Sequence, residues 1–225
     1  MPLRDTIPSR SFPVVSVSLI VVNVAVFVYE FALGRGVNDL IMRNGLIPAS
    51  LTSAGEAAGV AFRPHALITS IFLHGGWLHV GGNMLYLWIF GDNVEDRLGR
   101  IRFLVFYLLC GIAASLTHVL ANPSSTVPTI GASGAIAGVL GAYFLLYPRS
   151  RVLTLVPLGF YLQVVQLPAF LFLGFWFLLQ FVVGAASLSA SGDAGGVAWW
   201  AHVGGFVAGA GLQFVFRKRG REWGH

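Results

Sequence analysis

In a chain of 225 residues that is 56% apolar, a few polar groups have types and spacings suited to acyl chemistry. Ser133 lies in Gly131-Ala132-Ser133-Gly134, and His202 lies in Ala201-His202-Val203-Gly204-Gly205. A third group reads His74-Gly-Gly-Trp-Leu-His79-Val-Gly-Gly-Asn83. A serine hydroxyl is a weak nucleophile until a neighbouring base takes its proton, and neutral imidazole is the usual base. Ser133 and His202 form such a pair if their helices touch. The last apolar run holds no carboxylate, and the nearest upstream is Asp193 in the loop before it, so a dyad fits better than a triad. Acyl transfer also needs donors for the oxyanion. Ser133 sits at a helix start, where free N–H groups and the dipole favour negative charge. His79 and Asn83 are four apart and share one helical face. Each can add a donor worth about 3 kcal/mol of barrier. His74 falls off that face and reads as a residue of the helix entrance, supporting the loop or holding water.

What must position these groups is a set of membrane helices. Only 10% of the residues are charged, where a soluble domain carries about 25%. The net charge of +5 does not point to nucleic acid, because the basic residues sit at the ends of apolar runs and form no stripe with interleaved aromatics. The lone Cys110 excludes an intrachain disulfide and a multi-cysteine metal site.

A crossing needs about 20 apolar residues. The expectation is an all-α membrane protein with six transmembrane helices over about 12–33, 73–91, 103–121, 131–147, 167–186 and 197–216. Residues 12–216 then form one membrane domain, between an N-terminal tail, 1–11, and a basic tail, 217–225. The first run follows Arg4 and Arg10, is too long for a signal-peptide core and ends in no cleavage site, so it reads as an uncleaved anchor. Pro157, Gly159 and Pro168 break the apolar stretch 152–166, which reads as interfacial or as an irregular lead-in to the fifth span. With the N-terminus inside, the outer segments hold only Arg35, Arg43 and Arg63 of the 14 basic residues. Both termini are therefore expected in the cytoplasm. The long outer loop, 34–72, reads as an amphipathic element of the interface.

This orientation puts Ser133, His74, His79, Asn83 and His202 at similar depth below the outer surface. Small residues recur every four positions on two of the runs, Gly134, Gly138 and Ala142 against Ala201, Gly205 and Gly209, and so permit close helix contact. Plainer roles compete for each group. A serine among small residues at a membrane helix start is often packing, and His79 with Asn83 can simply bond between helices. Trp77, Trp88, Trp199 and Trp200 read as interface anchors or packing groups. His65 and His118 read as structural or loop residues, His225 as tail, and Glu95 with Arg97 as a solvated ion pair in an inner loop. The convergence on one side of three helices favours a site.

At these residues the sequence resembles the rhomboid family of intramembrane serine proteases, over about Phe62 to Phe216 and in the family's order. The His and Asn pattern of 74–83 is similar to the family's, Glu95-Asp96-Arg97 looks like its Glu-x-Arg motif, and Gly131-Ala132-Ser133-Gly134 and Ala201-His202 with Gly205 and Gly209 complete the match. The resemblance implies Ser133 as nucleophile and His202 as general base, needing no metal or cofactor. It implies an oxyanion hole from His79, Asn83 and the Ser133 amide, with His74 organising a watery cavity. It implies a short fourth helix that begins mid-membrane beneath a loop, with the second and fifth helices flanking the path of the substrate. Partners would be transmembrane protein substrates in a lipid bilayer, with no nucleic acid, and short loops suggest a bacterial cytoplasmic membrane. Ala137 departs from the pattern, because many members carry an aromatic there against the catalytic histidine. Phe62-Arg63 is only a loose counterpart of the Trp-Arg pair found in some bacterial members. Two rivals stand beside this reading: a rhomboid-like scaffold that binds membrane helices without cutting them, and a small transporter or proton channel relaying through His202, His79 and Asn83. Activity of a protease is expected to rise with pH as His202 loses its proton.

Overall fold

A helix falls at each of the expected runs. The structure, a computed structural model, describes residues 1–158, 161–187 and 198–218. The long helices are α1 (Val14–Ala32), α5 (Trp77–Leu98), α6 (Arg100–Ala121), α7 (Ser133–Leu146), α8 (Ala169–Ser187) and α9 (Trp199–Phe216). Short helices α2 (Val37–Asn44), α3 (Ala54–Ala57) and α4 (Ala66–Thr69) lie in the loop between α1 and α5. Three helices, α1, α6 and α8, are long and apolar enough to cross a membrane. Asp193 and the outer segment 188–197, together with Gly159, Arg219, Arg221 and His225, lie outside the described residues.

The innermost helix is α7. Its 14 residues rise about 21 Å, short of the roughly 30 Å of hydrocarbon, and every residue from Gly134 to Tyr143 is buried. Nothing polar follows Ser133 until Tyr143, so α7 has no solvent face to present. The α6 residues Phe103, Phe106, Tyr107 and Cys110 are fully buried. Gly99, at φ 89°, makes the tight turn from α5 into α6, a conformation that disfavours a side chain.

Three expectations are corrected. The protein is mostly helical but not all-α: β1 (Pro2–Asp5), β2 (Arg151–Leu158) and β3 (Tyr161–Pro168) form an antiparallel sheet in the order β1-β2-β3. The stretch 152–166 is therefore a hairpin, in register from Arg151 opposite Pro168 to Leu158 opposite Tyr161. Its prolines forbid a helix, and the β-branched residues Val152, Thr154, Val156, Val164 and Val165 favour extended backbone. Within residues 1–11, β1 pairs with β2, and Asp96 accepts from Arg10 N–H and from the Ser11 hydroxyl. Finally, α5 continues through Leu98, so Glu95 belongs to a helix. Its carboxylate is 3% exposed and accepts from Val15 N–H (3.0 Å), Ser16 N–H (2.8 Å) and the Ser16 hydroxyl (2.9 Å). It caps α1, and two of the helix's open N–H groups find an anionic partner there.

The loop between α1 and α5 folds back on the segment before α7. Leu46 and Thr129 form a two-way backbone bridge, Ala49 N–H donates to Ser125, the Thr52 hydroxyl to Pro123, and Gly131 N–H to Ser70. It is thus a folded cover of short helices rather than one amphipathic element. His118 is tied into it through Thr129 (3.0 Å), in keeping with a structural role.

Asp5 pins the sheet to the bundle, accepting from the Tyr143 hydroxyl at 2.6 Å and from the Asn93 amide at 2.8 Å. Burial raises its carboxyl from 3.8 to about 6, and the Tyr143 bond only partly offsets that. A raised folded-state value means that Asp5 favours the fold most at acid pH, and that this contribution fades as pH rises through about 6. Thermal melting of the detergent-solubilised protein between pH 5 and 7 checks this. The wild type should lose several degrees more than Asp5→Asn over that interval, and parallel slopes would rule out Asp5 as the titrating group.

Candidate active site

Ser133 is the first residue of α7, so its N–H is one of the helix-end donors with no partner inside the helix. The chain reaches it through Gly131, at φ 130°, where a side chain is disfavoured. A Cβ on Gly131 would also run into the ring of His79, so this glycine lets the imidazole lie against the backbone two residues before Ser133.

The side chains of Ser133 and His202 meet. Oγ of Ser133 is 2.8 Å from Nε2 of His202, and the imidazole is 8% exposed. The seam between α7 and α9 brings them together. A Cβ on Gly205 would collide with the Gly134 carbonyl, and one on Gly209 with the Gly138 carbonyl. The four-residue spacing of small residues thus marks backbone-to-backbone contact, in the register Gly134–Gly205 and Gly138–Gly209.

Of the second cluster, His79 accepts from Gly75 N–H through Nδ1 at 3.2 Å and stands edge-on to His74, ring centres 5.1 Å apart. The helix begins only at Trp77, which places His74 at its entrance. The Glu30 carboxylate of α1 accepts from the His74 backbone N–H at 3.1 and 3.2 Å, and His74 Nδ1 lies 3.3 Å from the Phe72 carbonyl. Asn83 is buried, and its amide nitrogen has no hydrogen-bond partner among the described residues.

Two residues of α8 escaped the sequence reading. Gln180 Oε1 lies 2.7 Å from His202 Nδ1, and Trp176, one turn earlier, faces the His202 ring at 5.7 Å between centres and 37° between planes. Trp199 stands edge-on to the same ring at 6.3 Å. The available signal was Gln180 itself, an amide in an otherwise apolar run, since a polar group in such a helix is costly without a partner. The arrangement contains a hydroxyl, an imidazole nitrogen within hydrogen-bond distance of it and a helix-start N–H, with the His79 ring against Gly131. Such groups suit attack on a carbonyl.

Residues 61–219 match the family model of the Rhomboid domain. The chain is 36% identical over 146 residues to Rhomboid protease GluP of Bacillus subtilis, covering 65% of this chain and 25% of that protein. It is 30% identical over 230 residues to RHOMBOID-like protein 1 of Arabidopsis thaliana, covering 92% and 54% respectively. Rhomboid protein 1, mitochondrial, of Saccharomyces cerevisiae is 39% identical over 95 residues, covering 40% and 28%. The chain belongs to the rhomboid family and is an integral membrane protein. It spans from about a quarter to about half the length of these curated relatives.

Proposed function

We propose that this chain is an intramembrane serine endopeptidase that hydrolyses peptide bonds in or near membrane-spanning segments of other proteins. The observation that carries it is the 2.8 Å approach of Ser133 Oγ and His202 Nε2 at the start of a buried helix. Family membership and its protease-named relatives support the same reading. Ser133 Oγ attacks the scissile carbonyl carbon as His202 Nε2 takes the hydroxyl proton. The tetrahedral oxyanion is met by the Ser133 N–H and by donors from His79 and Asn83, while His74 and Gly131 keep the His79 ring in place. The intermediate collapses to an acyl-serine as the imidazolium returns its proton to the leaving amine. Water, deprotonated by the same imidazole, then releases the acyl group. Nucleophile, base and donors are all protein groups, so the cycle calls for no metal or cofactor.

In this reading residues 12–216 are the membrane domain and cross six times with both termini in the cytoplasm. The host membrane is a bacterial cytoplasmic membrane. Fluorophosphonate labelling of the purified protein in mild detergent tests the chemistry without a substrate. One phosphonyl adduct on Ser133 by peptide mass mapping is expected. No adduct in a protein that melts cooperatively would instead favour a scaffold that binds membrane helices, and ion flux in liposomes would favour the channel.

A further inference from the structure

We propose that Gln180 is a positioning residue whose amide oxygen accepts from His202 Nδ1 and thereby fixes the imidazole tautomer with a bare Nε2 facing Ser133. This rests on the reading of His202 as general base. An amide oxygen can only accept, so at 2.7 Å the hydrogen must be on Nδ1. A neutral imidazole has one N–H, and Nε2 is then the lone-pair nitrogen, 2.8 Å from the Ser133 hydroxyl. The opposite amide orientation would donate to Nδ1, put the ring proton on Nε2 and leave nothing to take the serine proton. Free histidine side chains prefer the proton on Nε2, the tautomer useless to this dyad, so the site needs a group that reverses the preference.

The placement is specific. Gln180 is 5% exposed and His202 8%. Trp176, four residues before Gln180, lies on the same face of α8 and covers the same imidazole. The Trp200 indole N–H donates to the Gly184 carbonyl at 3.1 Å, which ties α8 to α9 one turn beyond Gln180. An apolar membrane helix thus carries its hydrogen-bonding amide where the base needs an acceptor. The role is that of the third member of a hydrolase triad, performed by a neutral group on a different helix.

Nitrogen NMR of the full chain in lipid nanodiscs, labelled with 15N-histidine and with His202 assigned by its loss in His202→Ala, reads the tautomer directly. The wild type should show the proton on Nδ1, and Gln180→Leu should move most of it to Nε2. The same tautomer in both proteins would overturn the proposal. The rate of fluorophosphonate labelling should fall on the order of 10- to 100-fold in Gln180→Leu, as for groups that orient metal-bound imidazoles. Peptide cleavage should lose kcat with KM unchanged. Gln180→Glu, which keeps an accepting oxygen, should recover most of the rate, whereas no rescue and a matching loss of melting temperature would assign Gln180 to packing alone. A wild type that takes no label would sink the hydrolase reading, while the nitrogen spectrum would still decide the tautomer.

Discussion

Ser133→Ala is expected to lower cleavage of a membrane-spanning peptide by at least about 1,000-fold while the protein keeps its fold. In the proposed cycle the substitution removes the atom that forms the acyl intermediate, and what remains is slow attack by water. The structural cost is small, since the hydroxyl makes one bond, to His202, worth about 1 kcal/mol. Melting temperature should therefore barely change. His202→Ala should lose a similar factor, because Oγ then has no base. The double variant is the most informative of the three. Two groups that act as one unit are not additive, so its residual rate should match that of either single variant. Steady-state cleavage in proteoliposomes checks this. A double variant slower by the product of the two factors would mean that serine and histidine act in separate steps.

The second large effect is on assembly rather than chemistry. Gly209→Val should collapse the yield of folded protein and cost more than the roughly 1–3 kcal/mol usual for overpacking. A Cβ at 209 meets the carbonyl, carbonyl carbon and Cα of Gly138, all backbone atoms that no rotamer change can move aside. Helices α7 and α9 would have to separate, and inside a bilayer they have little hydrophobic force to hold them once their close packing is lost. Gly81→Ala is the control. That glycine is exposed on α5 with open space around it, so alanine should be neutral or stabilise by about 1 kcal/mol through helix propensity. Thermal unfolding of both variants in one detergent decides the matter, and equal melting temperatures would show that the seam tolerates a side chain.

Much of the bundle was legible in the amino-acid pattern because a membrane helix writes its presence as a long apolar run. The pairing of Ser133 with His202 was legible for a related reason, as close helix contact demands small residues one turn apart. The hairpin was not. Its prolines and β-branched residues exclude a helix, but the pairing of β2 with β3 and with β1, some 150 positions away, is not written in the hydropathy of the run. Glu95 reads as solvated in the sequence because its partners, two backbone N–H groups and the Ser16 hydroxyl, belong to a helix some 80 positions away. Gln180 marks itself as the one amide in an apolar helix, but the run it sits in does not say that its partner is His202, 22 residues on.

The cover over the start of α7 has a consequence for the order in which the chain is built. Residues 46, 49 and 52 find their partners at 129, 125 and 123, so synthesis must add more than 70 residues before the first of those bonds can close. Until then the loop between α1 and α5 lacks the partners that hold it in place. His202, on α9, is added 69 residues after Ser133, so the contact between their side chains closes later than α7 itself.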